Sequence, residues 1–263
     1  MIDVVIPTRN APEVLALCLA HYWANAHDDG LVASVTLLDN CSEAAGMDAV
    51  FADAIRRGAA VIRHEANVGV WTSINRGLAL ARSDRVFVLT SDVLLAPGTV
   101  MKLDRAMTGL AKAGTPVAML GPEVRDFLPS LPWLYEPAFN GAGAIRLDHY
   151  NGACWLMERV LTETIGWFDP RFCVCFGDTD YVQRLRDGEY AAGILIGSRC
   201  VHLDKQSRRH DHTEGEDTFV EMRDAERFHE KWADRPDVLA KHPQLSPLQY
   251  AVTKAEWKEA IPQ

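Results

Sequence analysis

Short apolar runs alternate with polar breaks along this chain, and the breaks recur at the ends of the runs. Val4-Val5-Ile6 reads as a buried strand that stops at Pro7-Thr8-Arg9-Asn10. Pro12 suits a first helical turn, and Val14, Leu15, Leu17, Cys18, Leu19 and Tyr22 predict an apolar helix behind it. Val35-Thr36-Leu37-Leu38 predicts a second strand ending at Asp39-Asn40, residues 44–58 a helix, and Ala60-Val61-Ile62 a third strand. Asn67-Val68-Gly69 turns the chain into a helix from Trp71 to Arg82. Val86-Phe87-Val88-Leu89 predicts a central strand buried on both faces, and it stops at Thr90-Ser91-Asp92. Leu103, Met107, Leu110 and Ala111 space as a helix, and Pro116 to Leu120 as a strand. This order predicts an α/β fold with a doubly wound, mostly parallel, Rossmann-like sheet and right-handed crossovers.

The pattern changes after residue 121. Residues 122–150 are rich in Pro, Gly and aromatics and predict a long irregular segment. Trp133 and Tyr135 in it are candidates either for stacking on a sugar or base or for a local hydrophobic staple. Asn151 to Met157 reads as a return strand, Arg159 to Ile165 as a short helix, and Tyr181, Val182 and Leu185 as the apolar face of another helix. Ala191 to Ile196 predicts a strand, with Val201-His202 at its end. Arg208 to Asp217 is a charged loop, and His210 and His212 in it read as solvated. Phe219, Met222, Ala225, Phe228 and Trp232 mark an amphipathic helix, and a last helix is expected near Tyr250–Ala260. These changes of pattern divide the chain into 1–121, 122–207 and a charged loop with a helical C-terminal tail over 208–263. That tail packs on the rest of the chain, contacts a ligand or forms an oligomer; its sequence does not choose.

Composition narrows the function. The 263 residues suffice for a substantial core. A net charge of -9 argues against a broad nucleic-acid-binding face. No apolar run reaches membrane-spanning length, and Met1-Ile2-Asp3-Val4 enters a strand without a basic leader. The expected location is therefore cytoplasmic. The six cysteines lack zinc-finger spacing and read mostly as reduced, buried thiols.

In an open α/β sheet, ligands bind beyond the C-terminal strand ends. Thr8-Arg9-Asn10, Asp39-Asn40, Asn67 and Thr90-Ser91-Asp92 all lie at such ends. No G-x-G-x-x-G follows the first strand and no G-x-x-x-x-G-K-[ST] occurs, so a divalent cation on Asp92 is the natural holder of phosphates. The plainer role for Asp92 is to stabilise a turn. Asp178, in a first helical turn, is favoured there by the macrodipole whether or not it does chemistry.

Taken in order, these pieces resemble the inverting family-two glycosyltransferases with the GT-A fold, in the branch with rhamnosyl- and galactofuranosyltransferases. Val5-Ile6-Pro7-Thr8-Arg9-Asn10 is similar to the family's nucleotide loop, and Leu38-Asp39-Asn40-Cys41-Ser42 to its second strand. Asn67-Val68-Gly69 through Asn75-Arg76-Gly77 resembles the Asn-x-Gly helix segment, and Thr90-Ser91-Asp92 takes the D-x-D position. Gly152 to Leu156, followed by Gly166-Trp167-Phe168-Asp169, resembles the middle signature. Gly177-Asp178-Thr179-Asp180-Tyr181 stands where the family keeps Glu-Asp-x-Asp, and His202 where it keeps a metal-binding His. The departures are Thr90 at the first D-x-D position and Gly177 in place of the Glu.

The resemblance implies a nucleotide-sugar donor, UDP- or dTDP-linked, and a glycan or other hydroxyl-bearing acceptor. It implies Mn²⁺ or Mg²⁺ on Asp92 and His202, with Asp178 as catalytic base. Pro7, Thr8, Arg9, Asp39, Asn67, Trp71, Arg76 and Ser91 would frame the nucleotide, and Trp133, Tyr135, Trp155 and Asp180 the acceptor. The resemblance further implies a nucleotide-sugar-binding half over 1–121, an acceptor and catalytic half over 122–207, and a lid loop with the helical extension over 208–263. Two other classes stay open. A sugar nucleotidyltransferase normally carries a Gly-rich basic phosphate loop near its first strand, which this chain lacks. A non-catalytic nucleotide-sugar binder would hold the donor without turnover.

Overall fold

The computed structural model describes residues 1–28, 30–114, 117–126, 145–146, 152–203 and 214–242. The first half follows the expected alternation: β1 (Ile2–Thr8), α1 (Pro12–Asn25), β2 (Val32–Asp39), α2 (Met47–Arg56), β3 (Ala60–Arg63), α3 (Val70–Leu80) and β4 (Arg85–Leu89). Period-two side chains sort these strands between two layers. Val4, Ile6, Phe87 and Leu89 pack on one face with Leu15, Tyr22 and Phe51 of α1 and α2. Val5, Val86 and Val88 pack on the other with Ile74 and Leu78 of α3. All seven residues of β1 are buried, which is why no polar residue interrupts the strand between Asp3 and Thr8.

The second half contributes β5 (Val93–Leu95), α4 (Thr99–Lys112), β6 (Val117–Asp126), β7 (Ile145–Arg146), β8 (Cys154–Glu158), α5 (Leu161–Thr164), α6 (Gly177–Asp187), β9 (Ala191–His202), α7 (Glu214–Lys231) and α8 (Pro236–Leu239). Strand order is β3-β2-β1-β4-β8-β6-β9-β5, with β7 also on β9. The β3-β2-β1-β4 half is parallel. β8 enters antiparallel between β4 and β6, and β6 runs parallel to β9. The strand expected over 116–120 runs on to Asp126, passing Pro122 at a register shift against β9, where a missing N–H is tolerated.

The helical tail packs on the protein. Phe228 of α7, Trp232 just past its end and Val238 of α8 are buried with α3 and α6 in the second core. The last expected helix lies outside the described residues, as do Arg208 to Thr213 of the expected charged loop with His210 and His212; Glu214 to Asp217, expected in that loop, instead form the first turn of α7. The cysteines form no disulfide among the described residues; Cys18, Cys154 and Cys200 are buried, while Cys41, Cys173 and Cys175 are half-buried. No described helix is long and apolar enough to cross a membrane.

Candidate active site

The C-terminal ends of β1, β2 and β3 come level because Thr8 pairs with Asp39 and Asp39 with Arg63. Beyond them opens a cleft of about 650 Å³, lined by Pro7, Thr8, Arg9, Asn40, Asn67, Trp71, Ser91, Asp92, Asp178 and His202 among others. That size falls within the range of small-molecule sites.

On the nucleotide side, side chains knit three loops together. Arg9 Nη1 donates to the carbonyls of Asn40 and Cys41, at 2.8 and 2.6 Å. Asn40 Nδ2 donates to Asn67 Oδ1 at 2.7 Å, and Asn40 Oδ1 accepts from Val68 N at 2.8 Å. Thr8 Oγ1 is buried in this wall with no hydrogen-bond partner among the described residues. A buried hydroxyl without a partner is uncommon and suits a ligand that supplies one.

Two residues expected here sit behind the wall instead. Asp39 is fully buried; its Oδ1 accepts from Ser42 N at 2.9 Å, and its Oδ2 lies 3.0 Å from Arg63 Nε. Successive strand residues face opposite ways, so Asp39 turns inward and Asn40 faces the cleft. Arg76 is exposed and outside the lining, two residues past the lining residue Ile74, with Nη1 3.2 Å from His64 Nδ1.

β5 brings together Asp92 and His202, the two residues expected to hold a metal. After Thr90-Ser91-Asp92 the chain reverses into β5, which pairs antiparallel with β9 and sets Val93 opposite His202. Leu203 N donates to the Asp92 carbonyl at 2.8 Å. Asp92 Oδ1 then lies 3.4 Å from His202 Nε2. Burial alone would raise the Asp92 pKa, but the hydrogen bond and charge of His202, helped by Thr90, outweigh it and hold the carboxyl below its ordinary value. Thr90, at the first D-x-D position, spends its hydroxyl on the Ala153 carbonyl at 2.8 Å and so fixes the loop before β8.

Asp178 enters from α6. The cap position belongs to Phe176, at φ 62°, so Asp178 is not the N-cap. It lies in the first turn, with Oδ1 accepting from Thr179 N at 2.9 Å and its edge open to the cleft. Burial pushes its carboxyl above the ordinary range, against the bonds from Thr179. Gly152 allows the approach: a Cβ there would stand 2.1 Å from Asp178 Oδ2.

The departure at Gly177 has a steric reason. A Cβ at 177 would lie 2.4–2.5 Å from the Trp71 indole, so the carboxylate that the resemblance expects has no room. Trp71 is 3% exposed and donates from Nε1 to the Val174 carbonyl at 3.1 Å. Its ring stacks on Phe168 at 5.2 Å, and Phe168 on Tyr181 at 4.1 Å. Asn75 brackets Phe168 by bonding both its N–H and its C=O, at 3.0 and 2.8 Å. Gly177→Ala is expected to cost about 1–3 kcal/mol, the range for overpacking a filled core. A denaturant midpoint equal to that of the parent would contradict this steric reading.

The same packing places two of the expected acceptor contacts in the core, away from the cleft lining. Trp155 is fully buried and stacks on Trp71 at a centroid distance of 6.3 Å. Asp180 is also fully buried; it binds Arg184 at 3.0 Å, Lys231 at 2.7 Å and Trp232 Nε1 at 3.1 Å. Two residues past Asp178, it lies about 200° around the helix and so faces the core. Trp133 and Tyr135 lie outside the described residues. Asn40, Gly152 and the 173–176 loop line the cleft without having been singled out; for Asn40 the signal was its place beside Asp39 at a strand end.

Residues 3–166 match the family model of Glycosyl transferase family 2. Among curated proteins no sequence matches. S. aureus TarS 1-349 in complex with UDP is similar in structure, at 13% identity and a TM-score of 0.59 over 93% of this chain and 75% of that one. A longer S. aureus TarS structure gives the same identity and TM-score, and this chain spans 46% of it, about half. GalNAc-T7 with UDP, GalNAc and Mn²⁺ gives 14% identity and a TM-score of 0.60 over 77% of this chain and 43% of that one. At such identities the likeness is one of fold, a GT-A-like mixed sheet with helices on both faces. The family match runs from β1 through β8 to Gly166, more than half of the chain, and on that ground the chain belongs to glycosyl transferase family 2.

Proposed function

We propose that this chain is a metal-dependent, inverting glycosyltransferase that moves a sugar from a UDP- or dTDP-sugar to an acceptor hydroxyl. Within the family we place it in the rhamnosyl- and galactofuranosyl-type branch, on its Thr90-Ser91-Asp92 and Gly177-Asp178-Thr179-Asp180 motifs. One observation carries the reading. Asp92 and Asp178 are the only carboxylates among the described lining residues, and their surroundings push their pKa values in opposite directions. Such divergence separates an ionised ligand from a proton-accepting base.

Asp92 and His202 fit a divalent cation as an ionised carboxylate beside an imidazole. No cluster of three or more metal-ligating side chains forms among the described residues, so donor oxygens and water would complete the shell. Oxygens with one imidazole suit Mn²⁺. When bound, the cation supplies Lewis-acid neutralisation of the departing nucleoside diphosphate. Thr8, Arg9, Asn40 and Asn67 hold the nucleotide, and the UDP in TarS and GalNAc-T7 supports a uridine donor. Asp178 accepts the proton of the acceptor hydroxyl as that oxygen bonds to the anomeric carbon. The bond from that carbon to the phosphate oxygen breaks, and the carbon inverts.

The test is release of nucleoside diphosphate from a panel of UDP- and dTDP-sugars with Mn²⁺ or Mg²⁺, with water as fallback acceptor. Release is expected to stop in excess chelator. No release from any donor, or equal release with chelator, sinks the proposal.

A further inference from the structure

The loop before Asp178 hangs from the tail. Asp224 of α7 is fully buried, and its carboxylate accepts three consecutive backbone N–H groups. Cys173 N donates at 3.0 Å to Oδ1 and 3.1 Å to Oδ2. Val174 N and Cys175 N donate to Oδ2 at 2.8 and 2.9 Å. Arg227 Nη1 balances the charge from 3.1 Å. Successive amides converging on one anion form a nest, a strong and directional arrangement.

The carbonyls of the same loop point the other way, to the donor side. Cys173 O accepts from Val70 N at 3.0 Å, and Val174 O accepts from Trp71 Nε1 at 3.1 Å. The loop is thus clamped between the start of α3 and a single carboxylate on α7. Its next residue, Phe176, takes a left-handed φ of 62° that a bulky side chain rarely adopts, and its ring packs on Phe228 of α7 at 5.1 Å. Strain of this kind persists only where the surroundings over-determine it. Asp178 follows two residues later.

We propose that Asp224 is a positioning residue for Asp178: α7 sets the cleft geometry of the base through the 173–175 amides, without touching substrate. This rests on the reading of Asp178 as the base. The family match ends at Gly166, so it assigns nothing to α7.

Asp224→Asn keeps the size but replaces one acceptor oxygen by a donor that opposes an amide. In the full chain with Mn²⁺ and its best donor, kcat is expected to fall by about tenfold to 10²-fold, the scale of a small misplacement. The nucleotide dissociation constant should stay within about twofold, because the β1 and β2 loops are unchanged. The acid limb of kcat should also move, since the surroundings of Asp178 change. Independently of turnover, labelling of the Cys173 and Cys175 thiols by a disulfide reagent, resolved by peptide mass, should speed up. Parent-like kcat and labelling in folded Asp224→Asn overturn the proposal. So does a fall in kcat matched by an equal fall in folded fraction. Should Asp224→Asn not fold, Arg227→Gln removes the balancing cation together with its bonds to the Arg171 carbonyl and Cys173 Sγ, so Cys175 is the thiol read there. Faster loop labelling with lower kcat there supports positioning, and parent-like values overturn it. If no parent turnover is found with any donor, the functional reading fails, while the labelling still decides whether Asp224 holds the loop.

Discussion

Asp178→Asn is expected to bind metal and donor as the parent does while losing at least about 10²-fold in kcat, the lower end for loss of a general base. The substitution keeps the size, the first-turn position and an oxygen for Thr179 N. It also has a second, opposite signature. Burial raises the folded-state pKa of Asp178 above its unfolded value, so the native protein holds this proton more tightly than the unfolded chain. Its contribution is present at low pH and is lost as pH rises from the unfolded pKa through the folded one. Asn carries no such penalty, so the variant should melt at an equal or higher temperature at neutral pH, with the advantage disappearing in acid. Activity of the parent should have an acid limb above the ordinary carboxylate range, because the base must be ionised. Parent-like kcat in Asp178→Asn, or a clear loss of melting temperature at neutral pH, would remove Asp178 as the base.

Asp92→Ala is expected to reduce turnover to background. On the proposed reading the lost group is one of two side chains among the described residues that would hold the cation, so the loss of metal affinity should exceed the roughly 10–100-fold typical for an outer-shell partner. His202→Ala should be milder: metal and donor affinity fall together, and raised Mn²⁺ restores part of the rate. Titration of Mn²⁺ into each variant, with and without nucleoside diphosphate, separates the cases. Metal-coupled nucleotide binding that is unchanged in Asp92→Ala would falsify the assignment.

Strand ends were legible in the sequence because the β-branched runs are short and break at polar residues. Thr8, Asn67 and Asp92 therefore reached one edge as expected, and Pro12 marked a helix start. What sequence could not settle was which way each residue faces across the sheet. Asp39 and Asn40 are adjacent and both polar, yet only Asn40 lines the cleft. Asp178 and Asp180 share a helical turn, and only the docking of α6 on Trp71 and α7 decides which one borders the cleft. The antiparallel entry of β8 was hidden because a buried strand has the same composition in either direction. Trp155, read as an acceptor contact, sits in the middle of that strand. Asp224 did leave a signal. It lies four residues before Phe228, and Glu221 three before that, so two carboxylates fall on the buried stripe of an amphipathic helix. Carboxylates are rarely buried there without a partner to bind.

The β5–β9 pairing has a consequence for the order in which a newly made chain becomes competent. The edge from β1 to β4 is synthesised first, and its strands pair in parallel with one another before β8 reaches β4. Asp92 emerges 202 − 92 = 110 residues ahead of His202 and 224 − 92 = 132 residues ahead of the carboxylate that grips the 173–175 loop. At roughly 5–20 residues per second, the metal-side carboxylate waits on the order of 5–25 seconds for those partners. A ribosome-bound chain thus holds β1 to β4 well before it can pair Asp92 with His202, fix the loop that leads into Asp178, or cover β4 with β8.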